Sequence, residues 1–228
     1  MTSVIAITNI AGGTFKTTTA HALAVASVEY GKKVLLIDLD PRADLTFVLG
    51  FEKSRETISE ILTGSTLAQA NDITTQERFD FIGADSRLSA INDVASLKSA
   101  LKLLPRKYDV VIIDTPSQLD SRLAMAFLAA DALCIPTDAS LHSIRGALNT
   151  VKIETTGKKL ILPIDQFDTQ HANLFDSHTL VDARIPLSID MDSAIAQKRS
   201  VLSADKNSDC ASAYREAAYS VLEHLQII

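Results

Sequence analysis

The sequence contains no tryptophan, eight glycines, six prolines and two cysteines in 228 residues, and each scarcity excludes something. So little glycine and proline leaves no room for a low-complexity linker or a collagen-like repeat. Cys134 and Cys210 have no metal-ligand spacing and cannot form a disulfide framework, which points to a reducing, cytoplasmic setting. No apolar run approaches the roughly 20 residues that span a bilayer. The amino terminus lacks a basic segment followed by an apolar one, so neither export nor membrane integration is expected. Cations are outnumbered, 22 Lys and Arg against 28 Asp and Glu, giving a formal net charge of -6. A protein that coats nucleic acid with its whole surface is thereby excluded; a local basic patch is not. The length suits one core, so one domain over 1–228 is expected.

What is present is a series of short Val-, Ile- and Leu-rich runs: Val4 to Thr8, Val34 to Asp38, Phe79 to Gly83, Val110 to Asp114, Ala132 to Pro136 and Leu160 to Ile164. Runs apolar on both faces and separated by helical stretches indicate a buried parallel sheet. The helices include Lys16 to Tyr30, closed by Gly31, and a segment from about Ser86 to Leu104, closed by Pro105. Right-handed crossovers then give a three-layer α/β sandwich. A last helix, about Ala211 to Ile228, sets Ala217, Val221, Leu222 and Leu225 on one side with Arg215 its single cation, which fits core packing better than a membrane-surface anchor.

Three stretches carry chemistry, each at the carboxyl end of an expected strand, where ligands of such sheets sit. In "NIAGGTFKTTTA" a strand runs through Gly12, Gly13, Thr14 and Phe15 into a helix beginning at Lys16, Thr17 and Thr18. Backbone N–H groups there converge on phosphate oxygens, with Lys16 neutralising charge and Thr17 ligating magnesium. In "VLLIDLDPRADLT" Asp38 and Asp40 alternate at a strand end. One arrangement has Asp38 supporting the magnesium shell and Asp40 orienting the attacking water; either residue taken alone is better read as a cap for the next segment. In "KYDVVIIDTPSQLD" Asp114 has the form of a carboxylate that holds magnesium through water. Each stretch is weak by itself, and their conjunction decides the reading.

With "AGGTFKTTTA", "VLLIDLDPRADLT", "TISEILTG", "YDVVIIDTPSQLDSRLAMAFLAADALCIPTD" and "ASAYREAAYSVL", the chain resembles the ParA/MinD family of deviant Walker ATPases over nearly its whole length, with no additional DNA-reading domain expected. The resemblance implies an ATP-switched homodimer that uses ATP and Mg2+ with a low intrinsic rate. It also implies nonspecific binding of nucleoid DNA and the positioning or partitioning of a cargo, with a partner protein that stimulates hydrolysis. Carried over by position, Lys16 is the phosphate lysine, Thr17 and Asp114 serve the metal, Asp40 is the hydrolytic aspartate with a place at the metal, and Pro186 lies near the base pocket. A nonhydrolysing, nucleotide-bound adaptor is the alternative. A membrane-cycling role is disfavoured by the cation-poor last helix.

Two departures stand out. The family's signature lysine, which reaches across the dimer, falls at Ala11, and its glycine before the phosphate lysine is Phe15. A non-glycine residue forced to positive φ costs on the order of 1–2 kcal/mol. The chain resembles the McdA subgroup, which positions carboxysomes, in lacking that lysine. The resemblance implies a cation from later in the chain: Lys152 first, Arg145 second. For DNA the candidate cations are Lys158, Lys159, Arg184, Lys198, Arg199 and Lys206, while Gln170 stands where many relatives have an arginine. His142, His171 and His178 lack ligand spacing, and Cys134 is expected to pack as a small apolar residue inside a strand.

Overall fold

A computed structural model describes residues 2–54, 56–64, 74–104, 108–187, 194 and 196–228. The strands are β1 (Ser3–Ile7), β2 (Val34–Asp38), β3 (Asp80–Ile82), β4 (Val110–Asp114), β5 (Ala132–Thr137), β6 (Lys158–Pro163) and β7 (Thr179–Leu180). They form one seven-stranded sheet in the order β3-β2-β4-β1-β5-β6-β7, with every pairing parallel. The central strands are apolar on both sides because helices cover both faces, and β2 and β4 are buried at every position.

On one face lie α1 (Lys16–Glu29), α2 (Asp44–Leu49), α8 (Val201–Ala204) and α9 (Asp209–His224). On the other lie α3 (Ile58–Leu62), α4 (Ser96–Lys102), α5 (Ser121–Ala129), α6 (Leu141–Lys152) and α7 (Thr169–Ala172). This is the three-layer α/β sandwich the sequence predicts. Helix α1 lies between the sheet and α9, which explains why it is buried on nearly every side, with Ala20, Ala22, Ala24 and Ala26 allowing close approach. It ends as its sequence indicates: Gly31 takes φ 76°, and the Gly31 and Lys32 N–H groups bond back to the Val28 and Ser27 carbonyls. The apolar side of α9, including Tyr214, Ala217, Val221 and Leu222, is buried in the core, and the Tyr214 hydroxyl lies 3.2 Å from Thr19 Oγ1. Among the described residues no helix is long and apolar enough to cross a membrane.

The expected helix from Ser86 to Leu104 is two elements, a 3-10 helix over Ser86–Ala90 and then α4. Between them Asp93 accepts from the Ala95 N–H and turns the chain, a local bond that competes with helix continuation. Pro105 lies outside the described residues. Strand β7 was not expected; at two residues it is too short to leave a periodic signal.

Candidate functional site

Strand β1 and helix α1 are joined by a loop whose conformation depends on two left-handed residues, Gly13 at φ 71° and Phe15 at φ 58°, ψ 21°. Phe15 therefore adopts the conformation that a glycine there would supply. Its ring is half-buried against the core beside α1, which offsets part of the backbone strain. Phe15 caps α1 without a side-chain hydrogen bond, leaving the first-turn N–H groups directed at the loop's interior. The buried Lys16 ammonium donates to the Ala11 carbonyl at 2.8 Å and to Thr14 Oγ1 at 3.4 Å. Burial lowers its pKa to about 8, with Asp114 and Asp40 opposing and Arg42 adding to the fall.

Adjacent strands bring the carboxylates together, since Asp38 and Asp114 are register partners at the carboxyl ends of β2 and β4. Thr17 Oγ1 donates to Asp114 Oδ2 at 2.8 Å. Asp114 Oδ1 is buried with no hydrogen-bond partner among the described residues. Burial, with the Asp38 charge second, raises the Asp114 pKa well above the usual carboxylate range. Asp38 accepts from the Asp40 N–H, the Thr46 N–H and Thr46 Oγ1, the last at 2.7 Å. Burial raises its pKa to about 7 despite those bonds. Two buried acids with an orphan oxygen beside a threonine hydroxyl form a donor set suited to a hard cation. Among the described residues no group of three His, Cys, Asp or Glu could hold a metal by itself. Magnesium in general keeps waters and is bound through one or two carboxylates together with substrate phosphates. Asp40 is directed elsewhere: Arg42 grips it through Nε, Nη2 and the backbone N–H.

Helix α6 packs directly on the loop. A Cβ on Gly146 would lie 2.2 Å from Asn9 Oδ1, 2.5 Å from the Ala11 Cβ and 2.8 Å from the Ala11 nitrogen. Asn9 fastens the contact, donating to the Pro136 and Ser143 carbonyls and accepting from the Ala11 N–H. Thr150 accepts from the Ile10 N–H. Arg145 is exposed beside Gly146 and shares a cavity of about 340 Å³ with Ile10, Ala11, Ser117, His142 and Asn149. Lys152 ends α6 on the same stripe, seven residues on, and does not line that cavity. Pro186 follows Ile185, which bridges to Ile164 past the carboxyl end of β6.

The structure thus gathers Gly12, Gly13, Thr14, Phe15, Lys16, Thr17, Asp38 and Asp114 at one sheet edge, with Asp40 at its border. Thr18 follows in the first turn of α1 and lines a smaller cavity with Thr17 and His21. Thr46, Arg42, Asn9 and Gly146 were missed. Thr46 and Arg42 lie within a quoted motif, but what marks them is a partner two to eight residues back in chain and set by the turn. The proposed DNA cations divide. Lys158 and Lys159 are tied to the carbonyls of His224 and of Val151 and Ile153, whereas Lys198, Arg199 and Lys206 surround one cavity.

A parallel sheet whose first strand turns through a glycine loop onto a buried lysine, with a threonine-linked aspartate on the neighbouring strand, defines a P-loop nucleotide-binding protein. The AAA domain family matches residues 2–164, and the chain belongs to it, within the ParA/MinD group of P-loop ATPases. It is 36% identical over 169 residues to sporulation initiation inhibitor protein Soj of Bacillus subtilis, covering 67% of this chain and 66% of Soj. It is 32% identical over 155 residues to maintenance of carboxysome distribution protein A of Synechococcus elongatus, covering 64% and 62%. The chain thus spans just under two thirds of the length of these curated relatives. Among solved structures, cobyrinic acid a,c-diamide synthase of Mycobacterium smegmatis with bound ATP analogue and magnesium superposes with a TM-score of 0.77 at 28% identity, over 99% of this chain and 96% of that one.

Proposed function

We propose that this chain is a cytoplasmic, nucleoid-associated ATPase of the partitioning type. It binds ATP and Mg2+, dimerises, holds DNA nonspecifically, and positions or partitions a cargo, a carboxysome or a plasmid. A small partner protein stimulates hydrolysis from a low intrinsic rate. The carrying observation is the trio of buried Lys16, half-buried Thr17 and buried Asp114 at the ends of β1 and β4, with an orphan carboxylate oxygen that a hydrated cation would satisfy. Gly12, Gly13, Thr14, Phe15 and Thr18 cradle phosphate through backbone and hydroxyl groups. Lys16 leaves the Ala11 carbonyl for phosphate oxygens, and Pro186 borders the base.

Bound magnesium supplies charge neutralisation on the triphosphate. Thr17 and Asp114 would hold it, and Asp38, whose orientation Thr46 fixes, would support them. Asp40 would orient the attacking water and accept its proton once Arg42, which now pairs with it, lets go. This pairing favours the second reading, a nonhydrolysing nucleotide-bound adaptor, in which Arg42 never lets go. Calorimetry with ATP and magnesium tests the first step, and phosphate release by Asp40→Ala tests the second. A slow rate that vanishes in the variant supports the ATPase; equal rates sink it, and no heat of binding sinks both.

A further inference from the structure

A cavity of about 770 Å³ opens on the α1 face of the sheet, and no residue of the phosphate loop lines it. The buried His21–Glu77 pair stands between the two: Glu77 lines this cavity, while His21 lines the smaller one beside Thr17 and Thr18. The apolar part of the lining comes from Val25 and Val28 of α1 and from Leu49 and Phe51 at the end of α2. Gln76 and Ser203 add an amide and a hydroxyl. Four cations share the cavity. Lys198 lies over the Phe47 ring at 5.8 Å, whereas the side chains of Arg78, Arg199 and Lys206 have no ion pair or hydrogen bond among the described residues. Both acids of the lining are committed. Glu29 pairs with Arg215, whose Nη1 also donates to the Lys206 carbonyl, and Glu77 accepts from the Ser200 N–H besides pairing with His21. Arg78 and Lys198 hold left-handed backbone, at φ 68° and 55°, a conformation that collects at ligand clamps.

Three unpaired cations beside an apolar hollow call for two parts in one ligand, a multiply charged anion and an apolar or planar body. The backbone of a duplex offers the first without the second. The volume falls within the range of small-ligand sites, roughly 300–1,000 Å³. We propose that this cavity is a second anion site, separate from the phosphate loop, which takes a nucleoside polyphosphate. Its phosphates lie on Arg78, Arg199 and Lys206, and its base packs against Leu49 and Phe51. No magnesium is required, because the cavity's own cations neutralise the phosphates and its acids are already paired. Neither hydrolysis nor dimerisation enters the binding. A duplex drawing on the same cations would compete with that ligand.

The test uses the full chain carrying one equivalent of a nonhydrolysable ATP analogue with magnesium, titrated with fluorescently labelled GDP and read by anisotropy. The probe should bind beside the occupied phosphate loop. Lys16→Ala, which disables that loop, should bind the probe within about twofold of wild type. Arg78→Ala combined with Arg199→Ala and Lys206→Ala should bind the probe about tenfold more weakly or worse. The same triple variant should keep its affinity for the ATP analogue within about twofold, which also shows that it folds. Unlabelled GDP should displace the probe about tenfold better than inorganic pyrophosphate, because only GDP fills the apolar part of the cavity. Absence of binding beside the occupied loop overturns the proposal, as does undiminished binding by the triple variant. A loss seen in Lys16→Ala instead would assign the probe to the phosphate loop and overturn it. Pyrophosphate competing as well as GDP would reduce the cavity to a bare anion patch, with the same consequence.

Discussion

At the scale of single residues, the two departures in the phosphate loop have different physical characters. Phe15 is a strain problem solved locally. It holds φ 58° where glycine would be free, and its ring packs on the core in return. Comparing Phe15→Ala with Phe15→Gly isolates the strain, because both lose the ring and only alanine keeps the penalty. The glycine variant should be the more stable by about 1–2 kcal/mol in urea titration. Equal stabilities would mean that the loop relaxes at no cost. Ala11 is instead half of a contact, and Gly146 is the other half. Gly146→Ala places a methyl 2.2 Å from Asn9 Oδ1 and 2.5 Å from the Ala11 Cβ, so helix or loop must move. Overpacking of this kind costs about 1–3 kcal/mol. Here the displaced element carries the Ala11 carbonyl on which Lys16 rests, so calorimetry should also show ATP affinity reduced about tenfold. Stability lost with affinity intact would show that α6 yields and the loop does not. Lys16, Thr17 and Asp114 were legible because a phosphate loop and an aspartate at a strand end are local patterns. Gly146 was not, since its meaning comes from Asn9 and Ala11, more than a hundred residues away in sequence.

At the scale of elements, strands β2, β4, β1, β5 and β6 were legible from apolar runs, because burial on both faces removes the alternation that a half-exposed strand would show. The break between the 3-10 helix and α4 was not legible, since Asp93 reads as an ordinary polar helix residue until its bond to the Ala95 N–H is known. Parallel register has an electrostatic consequence of its own. Pairing Asp38 with Asp114 at the ends of β2 and β4 places two buried carboxyls side by side, and burial raises the pKa of each. A carboxyl whose folded pKa lies above its unfolded value favours the folded state at low pH, and that contribution is lost as pH rises through the folded pKa. For Asp38 the window runs from its ordinary value of 3.8 to about 7. Lys16 acts later: its burial penalty is relieved only above about pH 8. Metal-free protein should therefore unfold at lower urea at pH 8 than at pH 6. Magnesium with ATP should narrow the gap, since a cation beside the pair stabilises its charged form. Identical midpoints without metal would mean that the two acids are solvated in the folded state.

At the scale of the whole molecule, the proposed function asks how a chain of net charge -6 would hold a polyanion. A patch suffices, provided its cations are not already neutralised. Arg78, Lys198, Arg199 and Lys206 surround a cavity of about 770 Å³ between α1 and α8. The two acids in the same lining are committed elsewhere, Glu29 to Arg215 and Glu77 to His21. Lys158 and Lys159 are less available, because their ammonium groups bond to backbone carbonyls. The patch therefore favours Arg199 and Lys206 over the β6 lysines as contacts to the duplex backbone. Titrating a labelled duplex of arbitrary sequence against protein with ATP and magnesium, over a series of salt concentrations, measures how many phosphates are neutralised. Each lost phosphate contact should flatten the logarithmic salt dependence by about 0.9, so Arg199→Ala with Lys206→Ala should flatten it by about 2 and weaken binding similarly on all sequences. Lys158→Ala with Lys159→Ala should leave the slope near that of wild type. A slope that changes with the β6 pair and not with Arg199 and Lys206 would move the DNA face to the opposite end of the sheet. Absence of ATP-dependent binding would remove DNA from the proposed function.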